Sequence, residues 1–284
     1  MKTAKWVNDP DIYQNPFFEK KFDDYITNVL PQITDTICVE IDKILKIVHT
    51  NTNDEIFRFV MSTINNYFAK QMMMVPIHKD VVPENVWIHL AEKWQIPFAK
   101  WNSDDYIEIL KREVSRRSPA LVGKKAPQIE RLMVLPNEHF KAAALDTAIK
   151  FDIHAGIEVK DFSKELLKSK FTVLFFWDIK CDACLKSIQE LFELWEESKD
   201  YGLQIITIQM YNFEGKEKGT WIDFVNENNM FGDGWFNAWS PYNNNFRQLY
   251  NIINVPTIYL LDENGVILFR NIRIENLKEI IKRM

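Results

Sequence analysis

The sequence predicts two regions of different class, an all-α region over residues 1–122 and an α/β region over 123–284. Three observations carry this division. Between residues 16 and 118, apolar residues recur at helical spacing in one stripe after another. Further on, the uncharged run Phe171-Thr172-Val173-Leu174-Phe175-Phe176-Trp177 reads as a buried central strand that meets an amphipathic helix after a short turn. Finally, residues 258–261 and 266–269 read as strands joined by Asp262-Glu263-Asn264-Gly265, with a closing helix over about 274–282.

The helical stripes follow in order. Phe18, Phe22, Ile26 and Val29 form the first, which Pro31 ends. The second holds Ile37, Ile41, Ile44, Leu45 and Val48, with Cys38 beside it as an expected buried structural thiol. Ile56, Phe57, Val60, Ile64, Tyr67 and Phe68 make the third, and Val86, Trp87, Leu90 and Trp94 the fourth. His89 lies within the fourth and reads as a packing residue rather than a ligand. Ser103 caps the last helix, with Tyr106, Ile107, Leu110 and Val114 on one face. Met72-Met73-Met74 reads as core filler in preference to a metal or adaptable binding surface. The helical region ends in Arg116-Arg117-Ser118-Pro119, where proline discourages further helix, and Lys124 and Lys125 extend a basic join read as a solvated linker. Residues 135–161 carry the weakest pattern; 145–159 fit two short strands or a helix and a strand.

Composition agrees with two packed domains. The chain has 284 residues, 46% of them hydrophobic, beyond the usual size of one domain. A net charge of −5 argues against nucleic acid as the main partner, and no stretch approaches the roughly 20 apolar residues of a membrane span. Three cysteines, two of them in one motif, exclude a disulfide-stapled scaffold without excluding an oxidising compartment.

The chemistry concentrates at Cys181-Asp182-Ala183-Cys184, where the Phe171–Trp177 strand gives way to the helix carrying Leu185, Ile188, Leu191, Phe192 and Trp195. A thiol in the first turn of a helix faces unpaired N–H groups and the positive end of the helix dipole, which favour the nucleophilic thiolate. A second cysteine one turn along shares its face and can close a disulfide with it. Zinc would need a second ligand pair, and neither Cys38 nor the histidines at 49, 78, 89, 139 and 154 supply one at short spacing. No metal or cofactor is therefore expected.

The surrounding residues resemble a known family. Phe176-Trp177-Asp178-Ile179-Lys180-Cys181-Asp182-Ala183-Cys184 is similar to the thioredoxin active-site segment, with Trp four residues before the first cysteine, and Val255-Pro256-Thr257 resembles its cis-proline loop. Gly123-Lys124-Lys125-Ala126-Pro127 resembles the opening of TlpA/ResA-like thiol–disulfide oxidoreductases, and Phe246-Arg247-Gln248-Leu249-Tyr250-Asn251-Ile252 the helix before their cis-proline. The resemblance spans residues 123–284, and the region before it resembles the helical domain preceding such modules in some cell-envelope proteins. It implies a thioredoxin-like fold, a central mixed sheet flanked by helices, in which 145–159 is an insertion. It also implies that Cys181 attacks a substrate disulfide and Cys184 resolves it. Val255 and Pro256, with Thr257, would seat the substrate chain, and Trp177 would shape the docking surface. A trans proline opening an edge strand is the alternative at Pro256.

Departures from the family are equally specific. Ser187 stands where ResA-like proteins often have a Glu six residues after the first cysteine, and Phe175 where thioredoxin has a buried Asp. Glu158, Asp161 and Glu190 are the candidates to replace them in space. Asp178 and Asp182 oppose a thiolate at Cys181, while Lys180 and the helix dipole favour it. Asp178 also stands where peroxiredoxins carry Thr, which argues against peroxidase chemistry. The expected partners are protein disulfides and an upstream thiol–disulfide electron donor, with reduction favoured by the resemblance. The family location is the periplasm or cell envelope. Met1 to Pro10 lacks the apolar core of a secretory signal, so a leader or membrane anchor is expected outside this sequence, a cytoplasmic protein being the alternative. The alternative function is a partner-binding or scaffold protein whose disulfide is structural or a switch.

Overall fold

The computed structural model describes residues 11, 15–72, 81–139, 141, 158–210, 217–241 and 245–283. Met1 to Pro10, Met73, Met74, His78, His154 and residues 145–157 lie outside the described residues. The chain divides into two compact units, Met1–Ser118 and Pro119–Met284.

The first unit is helical. Helix α1 (Phe18–Asp24) runs into a π turn, Tyr25–Val29, in which the Leu30 N–H reaches back to Tyr25 O at 3.0 Å. That wider turn shifts the helical phase. Phe18, Phe22, Tyr25 and Ile26 are buried as a result, whereas Val29, expected on the same stripe, is 59% exposed and Leu30 takes the inner place. Leu30 is already extended ahead of Pro31. On α2 (Thr34–Asn51) Ile37, Ile41, Ile44, Leu45 and Val48 are all buried. The Asn53 side chain accepts from Ile56 N at 2.9 Å to start α3 (Asp54–Gln71), which buries Phe57, Val60, Met61, Ile64 and Phe68. Proline is the first residue of α4 (Pro83–Leu90), which passes through a second π turn, Ala91–Gln95, into the short α5 (Ile96–Phe98). Ser103 caps α6 (Asp104–Arg117) by accepting from Tyr106 N.

Asp42 ties α2 to the segment that follows α3. Its carboxylate meets Lys93 Nζ and Trp94 Nε1, both at 2.6 Å, and His89 Nε2 at 2.9 Å. Burial opposes its ionisation, but these donors outweigh burial and hold the carboxyl below its ordinary value. The basic join is solvated only at Lys124 and Lys125, which are exposed. The helix continues through Arg117, whose guanidinium pairs with Glu84 at 2.9 Å and Glu113 at 3.2 Å and lies over the Trp87 ring, while Arg116 pairs with Glu113.

The second unit is a seven-stranded mixed sheet with helices on its faces. Strands β1 (Leu132–Val134), β2 (Glu158–Lys160), β3 (Phe171–Trp177), β4 (Leu203–Gln209), β5 (Trp235–Trp239), β6 (Thr257–Asp262) and β7 (Ile267–Arg270) lie in the order β2-β1-β5-β4-β3-β6-β7. β3 pairs parallel with β4 and antiparallel with β6, so it is buried on both faces, as its uncharged sequence requires. Val173, Phe175 and Trp177 join the core that α7 (Asp182–Ser198) covers, with α8 (Glu217–Glu227) and α10 (Ile274–Lys282) contributing Trp221 and Leu277. Leu174 and Phe176 face the opposite core, where α9 (Asn245–Leu249) contributes Phe246. Gly265, at φ 74°, closes the β6–β7 turn around Asp262, whose Oδ1 accepts from Asn264 N and Val266 N. Residues 123–126 pair with the end of this hairpin. Gly123 N donates to Ile267 O, Ala126 N to Gly265 O and Ile267 N to Lys124 O, each at 2.8 Å.

Candidate functional site

The two cysteines sit where the central strand ends. Trp177 closes β3, residues 178–181 turn, and α7 begins at Asp182 with Cys181 as its N-cap residue. Asp178 forms the turn. Its carbonyl accepts from Cys181 N at 3.1 Å and its Oδ1 from Lys180 N at 2.8 Å. Cys181 is extended, φ −100° and ψ 108°, and its Sγ accepts from Cys184 N at 3.2 Å, occupying the capping place that Ser or Asp takes elsewhere. A sulfur held there faces the positive end of the helix dipole and an aligned N–H donor.

The thiols differ in access. Both are free; Cys181 is half-buried and Cys184 fully buried. Burial pushes the Cys184 thiol well above its ordinary value, and its hydrogen bond with Cys181 raises it further. A hydrogen bond from the Asp178 main chain to the sulfur works in the other direction, while the charges of Cys181 and Asp178 add to the rise. The pair therefore has an outer sulfur open to attack and an inner one protected as a neutral thiol. Cys38, by contrast, is half-buried on α2, and burial first, then Asp42 and Asp35, pushes it up to about 12.

The loop before β6 completes the site. The Val255–Pro256 peptide bond is cis, and the Val255 carbonyl lies 3.8 Å from Cys181 Sγ. Val255 and Pro256 are half-buried, and Ile253 beside them is 65% exposed. Thr257 is buried at the start of β6, and its hydroxyl donates to Asn254 O at 2.6 Å, so that side chain fixes the loop from within. Trp177 requires a correction. Its indole is 0% exposed and packs in the core near Phe175 and Phe224, so it offers no surface to a substrate and supports the motif from behind.

None of the carboxylates considered for Cys184 from the sequence lies beside it. Glu158 is on β2, four strands from β3, or about 19 Å at ordinary strand spacing, and Asp161 follows that strand. Glu190 lies about 9 Å further along α7 and faces Lys186. The Asp178 charge adds to the rise of the Cys184 thiol, after burial and Cys181. Arg247 lies on α9. Burial lowers the guanidinium's proton affinity, the Asp178 charge raises it, and its Nε is buried without a hydrogen-bond partner. Stacking of Phe246 on Phe176 and packing of Tyr250 against the same ring set α9 at the end of β3. Among the described residues, no group of three His, Cys, Asp or Glu side chains could hold a metal ion, and no helix is long and apolar enough to cross a membrane.

Known proteins resemble this chain over different extents. A family model described as thioredoxin-like matches residues 169–267. Sporulation thiol-disulfide oxidoreductase A of Bacillus subtilis is 25% identical over 100 residues, covering 35% of this chain; the chain thus spans 58% of that relative's length. A thioredoxin-like protein from Bacteroides caccae shares the fold over 98% of this chain and 89% of its own, at 18% identity and a TM-score of 0.57. A domain of a possible thiol-disulfide isomerase from Cytophaga hutchinsonii matches 59% of this chain and 95% of its own, at 24% identity and a TM-score of 0.44.

Proposed function

We propose that the C-terminal unit, which has a thioredoxin-like fold, belongs with the TlpA/ResA-like proteins and that the protein is a thiol–disulfide oxidoreductase that reduces protein disulfides. The observation that carries this reading is the asymmetric dithiol, with Cys181 Sγ half-exposed at the start of α7 and 3.8 Å from Val255 O, and Cys184 buried behind it. The Cys181 thiolate attacks one sulfur of a substrate disulfide, releases the other as a thiolate and forms a mixed disulfide. Cys184 then attacks Cys181 Sγ, the substrate leaves as a dithiol, and Cys181–Cys184 remains as a disulfide. An upstream dithiol donor returns it to the reduced state. The main chain at Val255 pairs with an extended substrate segment across the Cys181 sulfur, and Pro256 and Thr257 set the loop's shape. Such a donor–acceptor chain suits a periplasm or cell envelope, where substrate disulfides form.

The test is equilibration in a graded series of thiol–disulfide buffers, with Cys181 and Cys184 trapped by alkylation. A reversible couple toward the thioredoxin end of the range, near roughly −270 mV, supports reduction; one near roughly −120 mV makes the protein a disulfide donor instead. A pair that cycles in no buffer overturns the oxidoreductase reading and leaves a partner-binding protein.

A further inference from the structure

Past the C-terminal ends of the parallel strands lies a cleft that the dithiol chemistry does not use. Gln128, Ile129 and Glu130, which lead into β1, form one wall, and Asn245, Phe246 and Leu249 of α9 form the other. The cleft holds about 280 Å³. Drug-sized ligands occupy pockets of roughly 300–1,000 Å³, so this space suits one long side chain better than a cofactor.

The sheet places the cleft at the same edge as the cysteines. β1 runs antiparallel to β5 with Met133 opposite Trp239, so residues 128–130 lie past the end at which β5 stops. β3, β4 and β5 are parallel, and Cys181 follows the same end of β3. Phe246 links the two places. It lines the cleft and stacks on Phe176, the residue before the last of β3, with ring centroids 6.0 Å apart. Six residues after Leu249 comes Val255, whose carbonyl lies 3.8 Å from Cys181 Sγ.

We propose that this cleft is a second substrate subsite, one that takes a Lys or Arg side chain lying a few residues from the reacting cysteine of the substrate protein; this rests on the oxidoreductase reading above. The lining has the two surfaces that a basic side chain needs. Ile129 and Phe246 are buried and form an apolar floor, with Leu249 exposed beside them, and such a surface accepts the aliphatic stem. Glu130 is exposed and is the one carboxylate among the lining residues, so it meets the charged end. Among the described residues no ion pair engages Glu130, and neither Arg131 nor Arg247 lines the cleft. An acidic side chain would meet a like charge, and a short one would leave the floor uncovered.

The walls are fixed before a substrate arrives. Tyr250, which follows α9, donates its hydroxyl to Pro127 O at 2.5 Å, and its own carbonyl accepts from Tyr259 at 2.5 Å. One wall is thereby tied to the other and both to β6, and a preformed site loses less freedom on binding. Reach sets the spacing. A helix with its side chains is about 10–12 Å across and an extended chain advances roughly 3.3 Å per residue, so a segment held at Val255 crosses α9 in about three or four residues.

The experiment uses extended peptides whose single cysteine is disulfide-linked to a chromogenic aryl thiol, with one Lys or one Glu three, four or five residues to either side. Aryl thiolate release by the reduced protein gives the second-order rate constant of each peptide. At the position that reaches the cleft, the Lys peptide is expected to react about 3–10-fold faster than the Glu peptide at low ionic strength, as partly exposed charge pairs allow. Added salt should shrink that ratio. Glu130→Gln should bring it toward one and Glu130→Lys should invert it; a ratio within one protein cancels any general change in thiol reactivity. Equal rates for Lys and Glu peptides at every position overturn the proposal. So does a Lys preference that Glu130→Lys leaves in place, which would assign it to Asp178 and Asp182 beside the cysteines. A wild-type protein that stops at the peptide mixed disulfide, with no Cys181–Cys184 disulfide by mass spectrometry, would instead remove the oxidoreductase reading, and the proposal with it.

Discussion

Gly232→Ala tests how α7 is held under the cysteines. Gly232 lies between α8 and β5 at φ 159°, and its N–H donates to Asn137 Oδ1 at 2.6 Å. An added Cβ would fall 2.1 Å from Trp195 Cη2 and 3.0 Å from Cζ3. Trp195 cannot retreat easily. It is buried on α7, with Phe192 and Trp235 at ring-centroid distances of 5.4 and 5.7 Å. Overpacking a filled core costs about 1–3 kcal/mol, and an unfavourable φ for a residue with a Cβ adds about 1–2 kcal/mol. We expect a loss of about 3.5 kcal/mol, the middle of that range, which lowers Tm by about 7–14 °C for a unit of this size. Thermal unfolding of the single variants and of Gly232→Ala with Trp195→Phe measures it. Phe is smaller than Trp, so the double variant should be less destabilised than the sum of the singles. A single Gly232→Ala variant melting within 1–2 °C of wild type, or strict additivity in the pair, would show that the Trp195 contact does not govern the site.

Four further outcomes follow from hydrogen bonds and thiol environments. Tyr259→Phe removes the hydroxyl that donates to the Tyr250 carbonyl at 2.5 Å in a buried site, and urea unfolding should show a loss of about 1–3 kcal/mol. Asp42→Ala leaves Trp94 Nε1, Lys93 and His89 without their shared partner; circular dichroism should show the helices melting earlier, while Cys181 alkylation keeps its rate. Cys38 has its thiol raised from 9.0 to about 12 in the folded state, so its contribution to stability is full below pH 9 and is lost as pH climbs toward 12. Unfolding free energy should therefore fall with pH in that window, by less than the full linkage slope because Cys38 is partly exposed, and Cys38→Ala should flatten the fall. At neutral pH, timed alkylation followed by mass spectrometry should modify Cys181 ahead of Cys38 and Cys184.

The parts of the fold legible in the sequence are those where one physical rule acts alone. Strand Phe171–Trp177 is uncharged because both its faces are covered, and α2 keeps its helical period from Ile37 to Val48. Val29 was misplaced because a π turn changes the period without any marker residue such as proline. Strand Leu203–Gln209, seven buried residues in a row, gives no clear strand signal in the sequence: its three polar side chains interrupt the apolar pattern, although Gln204 and Thr207 find buried partners. At the site, Cys181, Cys184 and Val255 were legible by motif and the structure brings them together. Asp178 is legible in sequence as a charge beside Cys181 and as a residue at the peroxiredoxin Thr position. That it builds the turn, its carbonyl accepting from Cys181 N and its Oδ1 from Lys180 N, depends on how the chain folds back onto α7.

The pairing of residues 123–126 with the β6–β7 hairpin has a further consequence for the life of the protein in a crowded compartment. An unguarded outer strand is a template on which another chain can align its own peptide groups and grow an aggregate. At this hairpin, Gly123 N, Ala126 N and Lys124 O already occupy positions that an incoming strand would need. A foreign strand must first peel away that segment, which is anchored nearby by the Arg270 guanidinium donating to Ala120 O at 2.9 Å. The start of the unit thus acts as a selvedge, a woven border that keeps the sheet from ravelling into its neighbours.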